Sequence, residues 1–201
     1  MTSYNPLLMI PLKTLVLPKG RLKLRLPSEA LRHHITTMMA SGQPLVIGLI
    51  LRGNNRTPRK LANHATLAKV IDFSVDENGA LAIIVEGQQR VSLDTHWQDT
   101  DHLFWAETSL QPNWEPIMVN DHHYRYLPAK LQQVASAYPQ LLSLYDEHQF
   151  DDLSWVCQRW LELLPIEADT LPSLIEQDNL LPAMSFLFQY IPKYRQPITL
   201  H

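Results

Sequence analysis

The chain has 201 residues, a formal net charge of −3 and one cysteine, Cys157. This length suffices for one large domain or two small ones with a hydrophobic core, and a single cysteine excludes an intrachain disulfide framework. No apolar run approaches the roughly 18 residues that a membrane-spanning helix requires, and the N-terminus has no secretory signal. We therefore predict a soluble, cytoplasmic protein that does not interact with membranes.

The charges are distributed unevenly along the chain. Residues 1–60 contain ten Lys or Arg and one acid, Glu29, which gives +9, so the remainder carries −12. Such polarity favours attraction of a nucleic acid or an acidic polypeptide to the basic part. Neutralisation of one half by the other, within the fold or across a weak homodimer, is the alternative.

The first part of the chain is predicted to be rich in β-strands. Residues 6–18 form a dense apolar run that indicates a bent strand, and the strict basic-apolar alternation of 21–26 indicates a half-buried strand with a positive outer face. Ser28 and Gly42 are residue types that begin and end helices, so we expect a helix between them. The apolar run 44–51 then predicts a buried strand, followed by a basic loop.

A hairpin is predicted next. Residues 66–73 and 81–85 are rich in β-branched and apolar side chains, and Asn78-Gly79 between them favours a tight turn. We expect a break at Gly87 before the next strand, and a last strand over 103–110.

Beyond residue 116 the pattern becomes helical. We predict an α+β protein with a β-rich subdomain over 1–116 and a helical bundle over 117–201. Apolar residues recur at helical spacing from 124 to 145, across Pro139.

Further helices are predicted from capping residues. Asp152 and Asp169 are expected to cap two of them, and Pro182 to lie in the first turn of the last one. Cys157 lies between two tryptophans in an apolar helical segment, which predicts a packed thiol rather than a nucleophile or metal ligand.

No catalytic or metal-binding motif is predicted. Adjacent residues such as His122 and His123 point about 100° apart on a helix and rarely converge on one ion, so Asp121-His122-His123 is expected to be a polar helix start. The sequence contains no G-x-x-x-x-G-K-[ST] phosphate loop and no G-x-S-x-G nucleophile elbow. We predict a protein that is not an enzyme and that has no cofactor and no metal.

Four segments together match the pattern of one protein family. Ile10 to Gly20 is similar to its proline-bounded first strand and turn, and Ala65-Thr66-Leu67-Ala68 to its Gly-Thr-Leu-Ala strand. Val85-Glu86-Gly87-Gln88-Gln89-Arg90 matches its Val-Glu-Gly-x-x-Arg, and Trp160–Pro165 with Glu176–Leu180 is like the segments that end its bundle. In these motifs the chain resembles the substrate-recognition domain at the N-terminus of the ATP-dependent Lon protease.

The resemblance implies a PUA-like pseudo-barrel followed by a small helical bundle. It implies a recognition domain without the family's ATPase and protease domains, and a structural signature made of Thr66, Leu67, Glu86, Gly87 and Arg90. We expect Gly87 to supply an unusual backbone angle at a strand junction, and Arg90 to brace that junction by hydrogen bonds to carbonyls.

The expected function is recognition of unfolded or degron-bearing polypeptide segments, as an adaptor or regulator that works with a separate protease or chaperone. Contacts are expected at a sheet edge and around the first helix. The candidate peptide-binding residues are Lys19, Arg21, Glu29, Arg32 and His33. The alternative is RNA binding by the basic N-terminal face, although the strand 21–25 has no interleaved aromatic residue on which bases stack.

Overall fold

The computed structural model describes residues 6–51, 60–75, 81–120, 122–167 and 169–193. Within these ranges the chain has six strands and five α-helices, which confirms the predicted α+β class. The strands are β1 (Leu7–Leu12), β2 (Arg21–Arg25), β3 (Leu45–Leu51), β4 (Lys60–Val75), β5 (Leu81–Gln98) and β6 (Phe104–Leu110). The helices are α1 (Glu29–Ser41), α2 (Tyr126–Ala137), α3 (Leu153–Leu163), α4 (Leu171–Ile175) and α5 (Leu181–Tyr190). The chain divides into two compact units, Met1–Pro112 and Asn113–His201.

The strands of the first unit form one sheet in the order β2-β5-β4-β3-β1-β6, with a further pairing between β5 and β6. β1 and β3 are parallel, and the other pairs are antiparallel. The extra pairing closes a ring of five strands, β5-β4-β3-β1-β6, and β2 lies beside the first half of β5 outside that ring. This closure is the part of the predicted pseudo-barrel that the structure shows, and its PUA-like character stays a prediction.

The strand β5 is continuous, so the break expected at Gly87 is wrong. One edge of β5 pairs with β4 along most of its length, from Leu81 to Ser92. The other edge pairs first with β2, up to Glu86, and then with β6, from Val91 onward. Gly87 therefore lies where β5 changes its partner, and pairing with β4 carries the strand across that point. The β4–β5 hairpin is confirmed, whereas its predicted turn, Asn78-Gly79, lies outside the described residues.

The first strand is shorter than predicted, since β1 ends at Leu12 and the apolar residues up to Pro18 are not in a strand. Leu15, Val16 and Leu17 are buried all the same. The Val16 carbonyl accepts a hydrogen bond from Thr66 Oγ1 at 2.7 Å, so a side chain replaces the ladder partner here. The predicted basic loop after β3 lies, from residue 53 to 59, outside the described residues.

Two apolar clusters stabilise the first unit. One takes residues from all five strands of the ring, and the other combines alternate residues of β1 and β3 with β2, β4, β5 and Ile35 of α1. In β1, for example, Leu7 and Met9 belong to the first cluster and Leu8 to the second. β1 and β3 are therefore buried on both faces, which explains their unbroken apolar sequences.

The helix α1 begins and ends as predicted. Ser28 Oγ accepts from the Leu31 amide at 3.1 Å, and Gly42 takes the left-handed conformation with φ 68° just past the last turn. Both signals are local, which is why the sequence reveals them.

The second unit is built around α3, whose residues Leu153 to Leu161 are all buried. Asp152 caps α3 as predicted, accepting from the Ser154 amide at 2.9 Å, and Pro182 lies in the first turn of α5. The cap predicted at Asp169 is wrong: Thr170 precedes α4, and the Glu167 carbonyl accepts from the Thr170 and Leu171 amides instead. The Glu167 carbonyl thus accepts the hydrogen bonds that the Asp169 side chain was expected to accept.

Two further features concern this unit. The helical pattern predicted to continue past Pro139 ends there, because a 3-10 turn over Pro139–Leu141 is followed by a non-helical segment, 142–150.

The Cys157 thiol is fully buried, which confirms the predicted packing. Burial raises the pKa of this thiol, and the nearby charge of Asp152 adds to the effect.

Candidate functional site

The Val-Glu-Gly-x-x-Arg segment lies at the point where β5 leaves β2. The Lys19 amide donates to the Gly87 carbonyl at 2.7 Å, and the Gly87 amide donates to the Gly20 carbonyl at 2.9 Å. These two bonds attach the turn that precedes β2 to the middle of β5. The segment therefore fixes where β2 begins.

Gly87 is required for a different reason than the sequence suggests. Its φ is not positive, since Gly42 is the glycine with a positive φ in the described part of the chain, so the expected unusual backbone angle is wrong. A Cβ at Gly87 would lie 2.3 Å from the carbonyl oxygen of Leu17 and 3.1 Å from Thr66 Cγ2. The glycine is there because another backbone passes directly against it.

Arg90 and Glu86 do not form a pair with each other. Arg90 is 1% exposed, and its Nη1 donates to the Pro112 carbonyl at 2.7 Å. Glu86 accepts instead from Arg21 Nε at 2.8 Å, across the β2–β5 pair. Arg90 thus links β5 to the segment that ends the first unit, through its hydrogen bond to Pro112.

A buried histidine, His64, lies near Arg90. Burial lowers the pKa of His64 from 6.5 to about 3, and the positive charge of Arg90 contributes to the shift. The imidazole is neutral in the folded protein at any pH near neutrality. It belongs to the packed junction rather than to a surface that binds a ligand.

The structure separates the five candidate peptide-binding residues into two groups. Lys19 and Arg21 lie at the start of β2, whereas Glu29, Arg32 and His33 lie in the first turns of α1, beyond the end of that strand. Arg32 Nη1 donates to the Leu26 carbonyl at 3.3 Å. Arg21 and Leu26 are separated by five residues of extended chain, about 17 Å along the strand.

The outer face of β2 connects the two groups. Lys23 and Arg25 are exposed there and lie opposite Ile84 and Ala82 of β5. In these two described strands, no aromatic side chain stands beside the basic residues on this face. A nucleobase would find positive charge but no ring on which to stack.

A groove in the second unit was not predicted from the sequence. Its volume is about 700 Å³, it is open to solvent, and α2, the 3-10 turn and the segment 142–150 form its walls. The lining includes apolar and polar side chains, among them Gln132, Ser136, Leu142, Tyr145, His148 and Phe150.

The aromatic side chains of this groove are held from behind by α3. Tyr145 and Phe150 pack edge-on against Trp155, with ring centroids 5.7 and 5.6 Å apart. Arg159 lies against the Tyr145 ring and binds both carboxylate oxygens of Glu162, at 2.7 and 2.9 Å. The groove wall is therefore preformed rather than dependent on a ligand.

Nowhere in the described ranges do three His, Cys, Asp or Glu side chains meet in a way that would hold a metal ion. The side chains of His122 and His123 lie outside those described. None of the described helices is both long enough and apolar enough to span a bilayer.

Comparison with known proteins agrees with the resemblance seen in the motifs. A Lon N-terminal domain protein from Xanthomonas campestris has a similar crystal structure, with a TM-score of 0.67 and 21% identity over 93% of this chain and 99% of that one. The N-terminal domain of a Mycobacterium avium complex Lon protease is similar with a TM-score of 0.56 and 17% identity, over 95% of this chain and 100% of that one. These likenesses show the fold. A comparison with curated proteins found no match.

The family model of the ATP-dependent protease La (LON) substrate-binding domain matches residues 6–182. This span includes every strand described above, α1 to α4 and the start of α5. The chain therefore belongs to the LON substrate-binding domain family.

Proposed function

We propose that this protein binds exposed segments of unfolded or degron-bearing polypeptides without acting on them chemically, and that it serves as an adaptor or regulator of proteolysis. The observation that carries the proposal is the open groove of about 700 Å³ in the second unit. Its occurrence in a chain of a substrate-binding domain family supports a polypeptide as the occupant.

The groove has the composition that an unfolded segment requires. Leu142, Tyr145 and Phe150 offer apolar contact to a side chain of the segment, while Gln132 and Ser136 on α2 place hydrogen-bonding groups at the rim for its main chain. A volume of this size is typical of ligand pockets, about 300–1,000 Å³. Because folded proteins bury most large apolar side chains, such a groove selects unfolded segments.

The charged candidates act outside this groove in the proposal. Lys19 provides positive charge at one end of β2, beside Arg21 with its partner Glu86, and Glu29, Arg32 and His33 provide a mixed polar surface at the start of α1. A long unfolded segment contacts several such places weakly, so its total affinity exceeds that of each contact. A separate protease or chaperone would then receive the bound segment.

The test compares one protein in two states. A labelled polypeptide, unfolded by reduction of its disulfides, and its oxidised folded form are each titrated with the full chain, and fluorescence anisotropy is measured. We expect the unfolded form to bind in the micromolar range and the folded form to bind much more weakly. Equal binding of the two forms, or no binding of the unfolded form at high micromolar concentration, would contradict the proposal.

Two variants of α2 locate the contact. Ser136→Arg places a long side chain in the groove, whereas Gln133→Arg adds the same charge at an exposed position of α2 that does not line it. We expect Ser136→Arg to weaken binding several-fold and Gln133→Arg to leave it unchanged. Equal effects of the two variants would remove the groove from the proposal.

A further inference from the structure

In the described sheet, β2 pairs with a neighbouring strand along one edge only, the edge that faces β5. The Gly20 carbonyl accepts from the Gly87 amide, and the Leu26 amide donates to the Leu81 carbonyl at 3.1 Å. Hydrogen bonds of an antiparallel pair involve every second residue, so Leu22 and Leu24 also bond to β5. The N–H and C=O of Lys23, halfway along β2, therefore point to the opposite edge.

The alternation of residues along β2 also determines which charged side chains lie beside this edge. Arg21, Lys23 and Arg25 share the outer face of β2, because Leu22 and Leu24 turn inward to the apolar cluster. Lys23 and Arg25 are exposed. On β4, the exposed Lys69 lies opposite Glu86, and the exposed Asp72 lies opposite Ile84. Arg21 is neutralised by Glu86 at 2.8 Å. The strand that offers main-chain groups to a partner thus presents two exposed positive side chains, Lys23 and Arg25.

A second copy of the chain is a poor partner for this edge. Antiparallel pairing of two β2 strands about Lys23 would place Lys23 opposite Lys23 and Arg21 opposite Arg25. Like charges directly opposite each other destabilise a strand pair, and lysine on an edge strand is a common device against self-association. A strand with carboxylates at alternate positions places opposite charges beside Lys23 and Arg25.

We propose that β2 is a strand-addition site for an extended, acidic polypeptide segment, held by main-chain hydrogen bonds centred on Lys23 and by alternate carboxylates beside the exposed side chains of Lys23 and Arg25. This inference rests on the proposed function, since it names the chemical class of one polypeptide that the protein binds. It adds a second binding place, on the first unit, to the groove of the second.

The test uses a short peptide of alternating Glu and Val residues, titrated against the full chain by isothermal titration calorimetry. A peptide of alternating Lys and Val has the same strand propensity and the opposite charge. A third peptide repeats the Glu and Val sequence with N-methyl groups on alternate amides, so that one edge can no longer donate hydrogen bonds. We expect the acidic peptide to bind at least about tenfold more tightly than either of the others, because each lacks one of the two sources of affinity.

Two protein variants and one spectroscopic measurement assign the contact to β2. Lys23→Glu should weaken binding of the acidic peptide about tenfold, whereas Lys130→Glu, an equal charge change at an exposed position of α2, should not. Hydrogen exchange measured by NMR should show that the Lys23 amide becomes protected on binding. The Leu22 and Leu24 amides, already bonded to β5, should change little.

The outcomes separate this inference from the proposed function. If the full chain binds the unfolded polypeptide but not the acidic peptide, the strand-addition site is wrong and the groove stands. If the N-methylated peptide binds as well as its parent, attraction is electrostatic only and strand addition is wrong. If an RNA homopolymer of equal length binds more tightly than the acidic peptide and protects the same amide, the basic face is a nucleic-acid surface and the inference fails.

Discussion

Replacing Gly87 by alanine tests whether close backbone approach, rather than backbone angle, explains the signature glycine. The added Cβ would lie 2.3 Å from the Leu17 carbonyl oxygen and 2.9 Å from the carbonyl carbon. The Leu17 carbonyl is itself held in a turn, because it accepts from the Gly20 amide at 2.8 Å. Neither backbone can move without cost.

The expected loss of stability follows from the contacts that must yield. Relief of the overlap requires β5 to separate from the 17–20 turn, which sacrifices the bonds of Gly87 to Lys19 and Gly20. Two backbone hydrogen bonds contribute about 1 kcal/mol each, and residual overpacking costs about 1–3 kcal/mol. We therefore expect Gly87→Ala to lower the free energy of unfolding of the first unit by about 3–5 kcal/mol.

Hydrogen exchange of the β4 and β5 amides, measured at increasing urea concentrations, reports this loss of stability in the first unit itself. Gly42→Ala is the control, because a Cβ there meets nothing within 4 Å and only the positive φ of 68° opposes it. That strain costs about 1–2 kcal/mol. If Gly87→Ala costs no more than Gly42→Ala, the close-approach explanation is refuted.

Three further predictions concern buried groups. As the pH falls from 6.5 toward the folded-state pKa of His64 near 3, the unfolded chain binds the proton first. The free energy of unfolding should therefore fall by up to about 1.4 kcal/mol per pH unit. Urea titrations of His64→Leu should lack this part of the pH dependence. Cys157, which is buried and has a raised thiol pKa, should react with a thiol reagent only at the rate of unfolding; rapid reaction of the folded protein would contradict its packing. Arg90→Met should cost about 3 kcal/mol or more, because the hydrogen bond to the Pro112 carbonyl is lost together with the polar end of a large buried side chain. A change below about 1 kcal/mol in the free energy of unfolding measured by urea titration would show that this hydrogen bond is dispensable.

Features that depend on neighbouring residues could be predicted from the sequence. The caps at Ser28, Gly42 and Asp152 are contacts within four residues of chain, and each residue type favours such contacts for its own reason. The β4–β5 hairpin is predictable for the same reason, because its strands adjoin its turn. The α+β class follows from the change of period near the end of the first unit.

Features that depend on distant segments could not be predicted. Gly87 suggested a break in β5, but its role is set by Leu17, a residue of another segment whose approach leaves no periodic trace in the sequence. The groove has the same origin, since Tyr145 and Phe150 are positioned by Trp155 behind them and not by a helical repeat. Periodicity extended the helix past Pro139, whereas the non-helical segment that follows is what forms the wall.

The signature and the proposed strand-addition edge are connected through register. A slip of one residue turns every side chain of a strand to the opposite face. If β2 slipped against β5, Leu22 and Leu24 would face solvent and Lys23 would enter the apolar cluster. The bonds of Gly87 to Lys19 and Gly20 fix the residue at which β2 begins, and they thereby place the positive charges on the outer face. The glycine that looks purely structural therefore determines which side chains the edge presents to a partner, and a Gly87 variant that still folds should lose affinity for the acidic peptide even though it alters no residue of β2.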